Sequence, residues 1–317
     1  MMQFRQLGNS DLKIAALIFG GNVFGWTVDE NRSFELLDAF SAGGFNCIDT
    51  ADSYSRWVPG NKGGESETII GKWMKQKGNR QKIIISTKVG SDMGQGHKDV
   101  SKKYILKAVE DSLNRLQTDY IDLYQTHWDN EATPVEETLE AYDTLVKQGK
   151  VRWTGASNLS PERLTASLAA GKRHNYPVYQ TLQPEYNLYD RKNFEENYQP
   201  ICRQHKLSVI NYYSLASGFL SGKYRSEADL GKSKRGGGIK KYLNERGLRI
   251  LSALDKAAAA HSTTPAAVAI AWLIAQPTVA APIASATSIE QLNVLMAAST
   301  LQLNAEAIAG LNESSAW

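Results

Sequence analysis

Cysteine is scarce in this sequence: Cys47 and Cys202 are the only two among 317 residues. One falls in an apolar strand pattern and the other in a helical pattern, so they define no disulfide framework, and two thiols alone cannot build a structural zinc site. The cytoplasm is therefore the expected compartment, and no metal is expected. Long apolar runs are missing as well. The longest, AAVAIAWLIA, is bounded by Pro265 and Pro277 and falls short of the roughly 18 residues that a membrane span requires. The opening MMQFRQLGNSDLK contains no apolar signal-peptide core. A charge excess of one sign is also lacking, with 36 basic against 33 acidic side chains and a net charge of +3. That balance gives no basis for a nucleic-acid surface, and it leaves a small anionic molecule as the kind of ligand to look for.

The familiar phosphate loops are absent too. After the first strand pattern the chain reads GGNVFG, which does not have the GxGxxG spacing of a doubly wound dinucleotide fold. SGFLSGKY, residues 217–224, approaches a P-loop but is one residue short and ends in Tyr224 where Ser or Thr is needed.

What the sequence does contain is a regular alternation. Apolar strand patterns occur at 16–20, 45–49, 82–87, 120–127, 151–157, 178–183, 207–213 and 279–284, separated by stretches of helical periodicity. Parallel strands joined by crossover helices give this pattern, and eight of them close a barrel. Ser101 and Ser160-Pro161 read as helix starts, and Gly43, Gly78, Gly149 and Gly171 as helix stops. The segment before the first strand reads as a hairpin turning at Gly8-Asn9, and no linker or composition shift divides the chain. The expectation is an α/β fold, a single (β/α)8 TIM barrel over 1–317, with an N-terminal β-hairpin and a long loop, about 215–242, after strand seven.

In such a barrel the carboxyl ends of the strands share one mouth, where barrel chemistry sits. Polar residues collect there. Asp49 ends strand two with Tyr54 just beyond, Lys88 ends strand three, His127 strand four, Ser157 and Asn158 strand five, Gln183 strand six and Tyr212 strand seven. Tyrosine and lysine ordinarily titrate near about 10, so neither transfers protons readily at neutral pH. A lysine cation beside the phenol would lower its pKa, with Asp49 holding Lys88 in place and His127 orienting a substrate carbonyl. This is a proton donor aimed at a developing alkoxide. Hydride must then come from a nicotinamide or a flavin, because no side chain supplies it. Asp52 reads as a loop or capping residue. Trp26, Trp57 and Trp128 fall in mouth loops and are candidates for an apolar substrate wall.

IDTADSY, STKVG, YIDLYQTHW and GASN followed by LQPEYNLYDR, in that order, resemble the motifs of the aldo-keto reductases over essentially the full chain. The resemblance implies Tyr54 as general acid, Asp49 and Lys88 as its tuning pair, and His127 as the orienting group. It also implies that Ser157, Asn158 and Gln183 bind the nicotinamide carboxamide and that Tyr212 stacks on the ring. Leu215, Ser217, Gly218, Leu220 and Lys223 would follow the phosphates, and Arg235 would fold over them. Many members have a basic Lys-Ser pair and an arginine after strand eight; here Ser285, Thr287 and Gln291 stand in that region. The branch that includes the potassium-channel beta subunits is similar in having glutamine there. NADPH is the expected cofactor, NADH the alternative. The expected reaction is reduction of a small carbonyl substrate, with neither nucleic acid nor membrane as partner. A nucleotide-binding redox sensor with slow turnover, and a Schiff-base aldolase using Lys88, are the rival readings.

Overall fold

The computed structural model describes residues 3–234 and 236–317. A short antiparallel hairpin opens the chain, with β1 (Phe4–Gln6) paired to β2 (Lys13–Ala15). Its turn requires Gly8: φ is 56°, and a Cβ there would lie 2.5 Å from the Gln180 carbonyl oxygen. The Gly8 and Asn9 amides donate to Ser208 Oγ and Gln180 Oε1, both at 2.8 Å, which ties the hairpin across the base of the barrel.

Eight parallel strands follow among the described residues: β3 (Ile18–Gly20), β4 (Cys47–Asp49), β5 (Ile84–Val89), β6 (Ile121–Thr126), β7 (Val151–Ser157), β8 (Thr181–Gln183), β9 (Ser208–Val209) and β10 (Ile283–Ala284). They pair in chain order, and β10 returns to lie beside β3. Between β9 and β10 the backbone bonds Val209 N to Thr278 O, Ala280 N to Val209 O and Ile283 N to Asn211 O, at 2.8–2.9 Å, complete the ring. This is the (β/α)8 barrel that the alternation predicts. The last three strands are shorter than the apolar runs that contain them. Pro282 has no N–H to give the ladder, and the chain turns away at Tyr213, where φ is 54°.

The helices that matter for the site are α1 (Glu30–Ala42), α2 (Glu65–Lys77), α3 (Lys102–Leu116), α4 (Val135–Lys147), α5 (Pro161–His174), α6 (Gln199–His205), α7 (Glu245–Ala260), α8 (Pro265–Ile274) and α9 (Ile289–Ala298). Ser101 and Ser160 cap α3 and α5 by accepting from the amides of Tyr104 and Arg163. α3 shows why the pattern is legible, burying Ile105, Ala108, Val109, Ser112, Leu113 and Leu116 at helical spacing. Gly43 and Gly78 cap α1 and α2, and Gly149 follows the cap of α4. Gly171 does not stop its helix. It lies buried inside α5, packed toward Val178, and Asn175 provides the left-handed cap.

Two cores result. The larger fills the space between sheet and helices. The smaller plugs the base with Leu7, Leu12 and Ile14 of the hairpin region against Ile18, Cys47, Leu123 and Ile210. The long segment after β9 is a chain of short 3-10 turns, Ala216–Ser221, Glu227–Lys232, Gly236–Gly238 and Lys240–Tyr242, anchored by buried Phe219, Leu220, Tyr224 and Tyr242. Among the described residues no single helix is long and apolar enough to cross a membrane.

Candidate active site

Strand geometry brings the first cluster together. Asp49 is the last residue of β4, Lys88 the penultimate residue of β5, and His127 directly follows β6. Lys88 and Asp49 have only 0% and 1% of their side chains exposed. The Lys88 ammonium donates to Asp49 Oδ2 at 2.6 Å, the Thr50 carbonyl at 2.7 Å and Tyr54 Oη at 2.7 Å, so all three of its protons are used. Tyr54 Oη in turn donates to Asp49 Oδ2 at 3.2 Å. The other carboxylate oxygen accepts from Ser86 Oγ at 3.0 Å and Gln183 Nε2 at 2.9 Å. A buried ion pair is tolerable only when its remaining valences are filled in this way.

Burial pulls the Lys88 ammonium below its ordinary value, and Asp49 opposes that shift. Burial first, and Asp49 second, push the Tyr54 phenol well above its usual 10. The shift runs opposite to the expected lowering of Tyr54 by the lysine, because desolvation and the carboxylate both disfavour the phenolate. The outcome is a neutral phenol, the form that has a proton to give, with a cation in contact with the oxygen that would become negative. Burial, then Lys88 and Lys98, hold His127 well below 6.5, so its imidazole is neutral at pH 7. Its Nδ1 faces Ser91 Oγ at 3.0 Å and Ser53 Oγ at 3.5 Å.

Above this floor opens a cavity of about 1120 Å³. Tyr54, His127, Ser157, Asn158, Gln183 and Tyr212 line it at the floor; Leu215, Ser217, Gly218 and Lys223 line it along the strand-seven loop; Ser285, Thr287 and Gln291 line it near the start of α9. The details correct several expectations. Gln183 lines the cavity while giving one amide proton to Asp49. Asn158, at φ 52°, donates to the His127 carbonyl at 2.9 Å and accepts from Tyr212 Oη at 3.0 Å, so it braces the wall. Leu220 is wholly buried in the core and does not reach the cavity. Trp57 and Trp128 form part of the wall, whereas Trp26 stands edge-on to Trp57 at 5.6 Å and does not line it. Arg235 lies outside the described residues.

Asp52 lies in the turn after β4, the loop position expected for it, but it caps no helix and does not face solvent. It is buried, neither carboxylate oxygen has a hydrogen-bond partner of normal geometry, and burial followed by Glu67 raises its pKa to about 8. Sequence reasoning also missed Asn22, Arg56, Asp92 and Lys234 in the wall. Lys234 had a signal, the basic run KSKRGGGIKK; the others sit in turns that carry no periodic pattern. Ser285 Oγ donates to Asn22 Oδ1 at 2.6 Å, and Gln291 Oε1 accepts from the Thr287 amide at 3.0 Å. Two lysines and several hydroxyls at one end, with amides and a tyrosine ring at the other, form a donor set that fits an extended dinucleotide.

A model of the aldo/keto reductase family matches residues 16–316. The uncharacterized oxidoreductase YrpG of Bacillus subtilis (strain 168) is 35% identical over 98% of this chain and 95% of its own length. The aldo-keto reductase YhdN of the same organism is 34% identical over 94% of this chain and 87% of its own. A probable voltage-gated potassium channel subunit beta of Arabidopsis thaliana is 32% identical over 94% and 91%. The chain belongs to the aldo/keto reductase family, an oxidoreductase family whose members use NAD(P)H.

Proposed function

We propose that this protein is a cytoplasmic reductase that converts aldehydes or ketones to alcohols with NADPH as preferred cofactor. The observation that carries the reading is the contact of Lys88 Nζ with Tyr54 Oη at 2.7 Å, at the floor of a cavity large enough for cofactor and substrate together. A nicotinamide held in this cavity would supply the hydride for the carbonyl carbon. Tyr54 gives its proton to the carbonyl oxygen, Lys88 holds the phenolate left behind, and Asp49 holds Lys88. His127 hydrogen-bonds the same oxygen and fixes the carbonyl's direction. Gln183, with Ser157 and Asn158 behind it, faces the carboxamide, and Tyr212 offers its ring to the nicotinamide. Lys223 and Lys234 suit the phosphates. Ser285, Thr287 and Gln291, beside the amino end of α9, suit the adenosine phosphate as hydrogen-bonding groups, although none of them is basic. Trp57 and Trp128, with Trp26 behind, give the substrate an apolar wall, so the partner is a small molecule and not a nucleic acid or a membrane.

Consumption of NADPH and of NADH, by wild type and Tyr54→Phe, against a panel of aldehydes, ketones and a quinone tests this. Turnover that favours NADPH and collapses in the variant is the expected result; carbonyl reduction unaffected by Tyr54→Phe overturns the mechanism. The likeness to a relative named as a potassium channel subunit beta motivates a second reading, a redox sensor. Tight NADPH binding without turnover on the panel would select it. The aldolase reading is weakened by Lys88 itself, whose three donors are all committed.

A further inference from the structure

His127 enters the reaction as a hydrogen-bond donor only if its proton sits on the ring nitrogen that faces substrate. A neutral imidazole carries one proton and has two nitrogens for it, so something must choose. Aromatic contacts already fix the plane of the ring: Trp128 stacks on it at 5.8 Å and Tyr54 meets it edge-on at 6.0 Å. They do not distinguish the nitrogens. What does is a pair of hydroxyls on the Nδ1 side. Ser91, in the turn that follows β5 and 6% exposed, lies 3.0 Å from Nδ1, and Ser53, in the turn that follows β4, lies 3.5 Å from Nδ1 and 3.1 Å from Ser91 Oγ.

Counting protons gives the direction. When Ser53 donates to Ser91 and Ser91 donates to Nδ1, both hydroxyl protons are used inside the cluster and Nδ1 is the acceptor. When Nδ1 carries the proton and donates to Ser91, the contact between Ser53 and Ser91 can use only one of the two hydroxyl protons, and the other has no acceptor in the cluster. The first arrangement leaves no donor idle.

We propose that Ser91, backed by Ser53, is a positioning residue that holds His127 with Nδ1 as acceptor and Nε2–H directed at the substrate carbonyl oxygen. The inference rests on the reductase reading for its catalytic meaning, but the proton's position is a property of the protein alone. Neither serine touches the reacting atoms. Their effect passes through the imidazole, in the way that an orienting group fixes the tautomer of a catalytic histidine.

The test is nitrogen NMR of the full chain labelled with 15N-histidine, with the His127 signals assigned from a His127→Gln variant. Wild type is expected to show a single neutral tautomer protonated at Nε2, Ser91→Ala a mixture of the two tautomers, and Ser91→Thr the wild-type pattern. In parallel, kcat/KM for the carbonyl is expected to fall about 10- to 100-fold in Ser91→Ala and to recover in Ser91→Thr, with the NADPH dissociation constant unchanged. Should Ser91→Ala fail to fold, Ser53→Ala gives a smaller shift of the same sign. A wild-type imidazole protonated at Nδ1, or a tautomer that ignores loss of either hydroxyl, overturns the inference. A wild type with the Nε2–H tautomer but no carbonyl reduction sinks the reductase reading and leaves this one standing.

Discussion

The two ends of the barrel are closed by opposite chemistry. At the base, hairpin and strands meet in an apolar plug of Leu7, Leu12, Ile14, Leu123 and Ile210. Toward the mouth, the strands carry Asp49, Ser86, Lys88, Gln125 and Gln183, equally buried but bound into one polar network. Burial is the same and its purpose is not. The base removes apolar surface from water and stabilises the ring. The mouth spends hydrogen bonds to keep an ion pair and a neutral phenol where water would separate them. The comparison teaches that depth alone does not distinguish a structural residue from a functional one; the pattern of partners does.

Substitutions at the two ends should therefore separate stability from activity. The largest effect is expected for Tyr54→Phe, which keeps the ring and removes the proton, lowering kcat by about 10² to 10⁴ at a stability cost of about 1–3 kcal/mol, because a buried Lys88 proton loses its acceptor. Lys88→Met should lose activity and also stability, about 3–5 kcal/mol, because it strands the Asp49 carboxylate in the interior; urea unfolding at pH 7 measures this. At the base, Ile14→Ala should cost about 2–5 kcal/mol while kcat/KM, measured well below the melting point, stays near wild type. Asp52 lies between the two behaviours. Its pKa rises from an ordinary 3.8 to about 8 in the fold, so the folded state keeps a proton that the unfolded chain has released. Stability then falls as pH climbs from about 4 to about 8, each unit of the rise being worth about 1.4 kcal/mol. Asp52→Asn should flatten that slope, and its advantage over wild type should grow between pH 5 and pH 8; an equal advantage at both would show that the carboxyl does not titrate there. The smallest effect is expected for Trp57→Ala. The side chain is 51% exposed, so stability should shift by no more than about 0.5 kcal/mol, while KM for bulky carbonyls rises several-fold.

Legibility in the sequence followed the same division. Strands and helices with a continuous apolar period could be read directly, as in the run at 82–87 that folds as Ile84–Val89 and in Lys102–Leu116, and so could the charged residues that end the strands. What could not be read depends on partners distant in the chain. Gly171 looks like a stop until Val178 is seen packed against it. Gln183 reads as a cavity residue, but its hydrogen bond to Asp49, 134 residues away, carries no signal in the sequence. Leu220 sits among cavity residues in sequence but points into the core, because a 3-10 turn with left-handed Ser217 and Gly218 reverses the chain around it. The direction of the Tyr54 shift was misread for a related reason, since the desolvation that dominates it exists only once the barrel has closed.

The most direct test of the division between the two ends is to measure kcat and melting temperature side by side for Tyr54→Phe and Ile14→Ala. The mouth variant should stay folded and lose turnover by at least about 100-fold, and the base variant should melt early and turn over normally. A Tyr54→Phe variant that still reduces carbonyls at the wild-type rate would contradict the account.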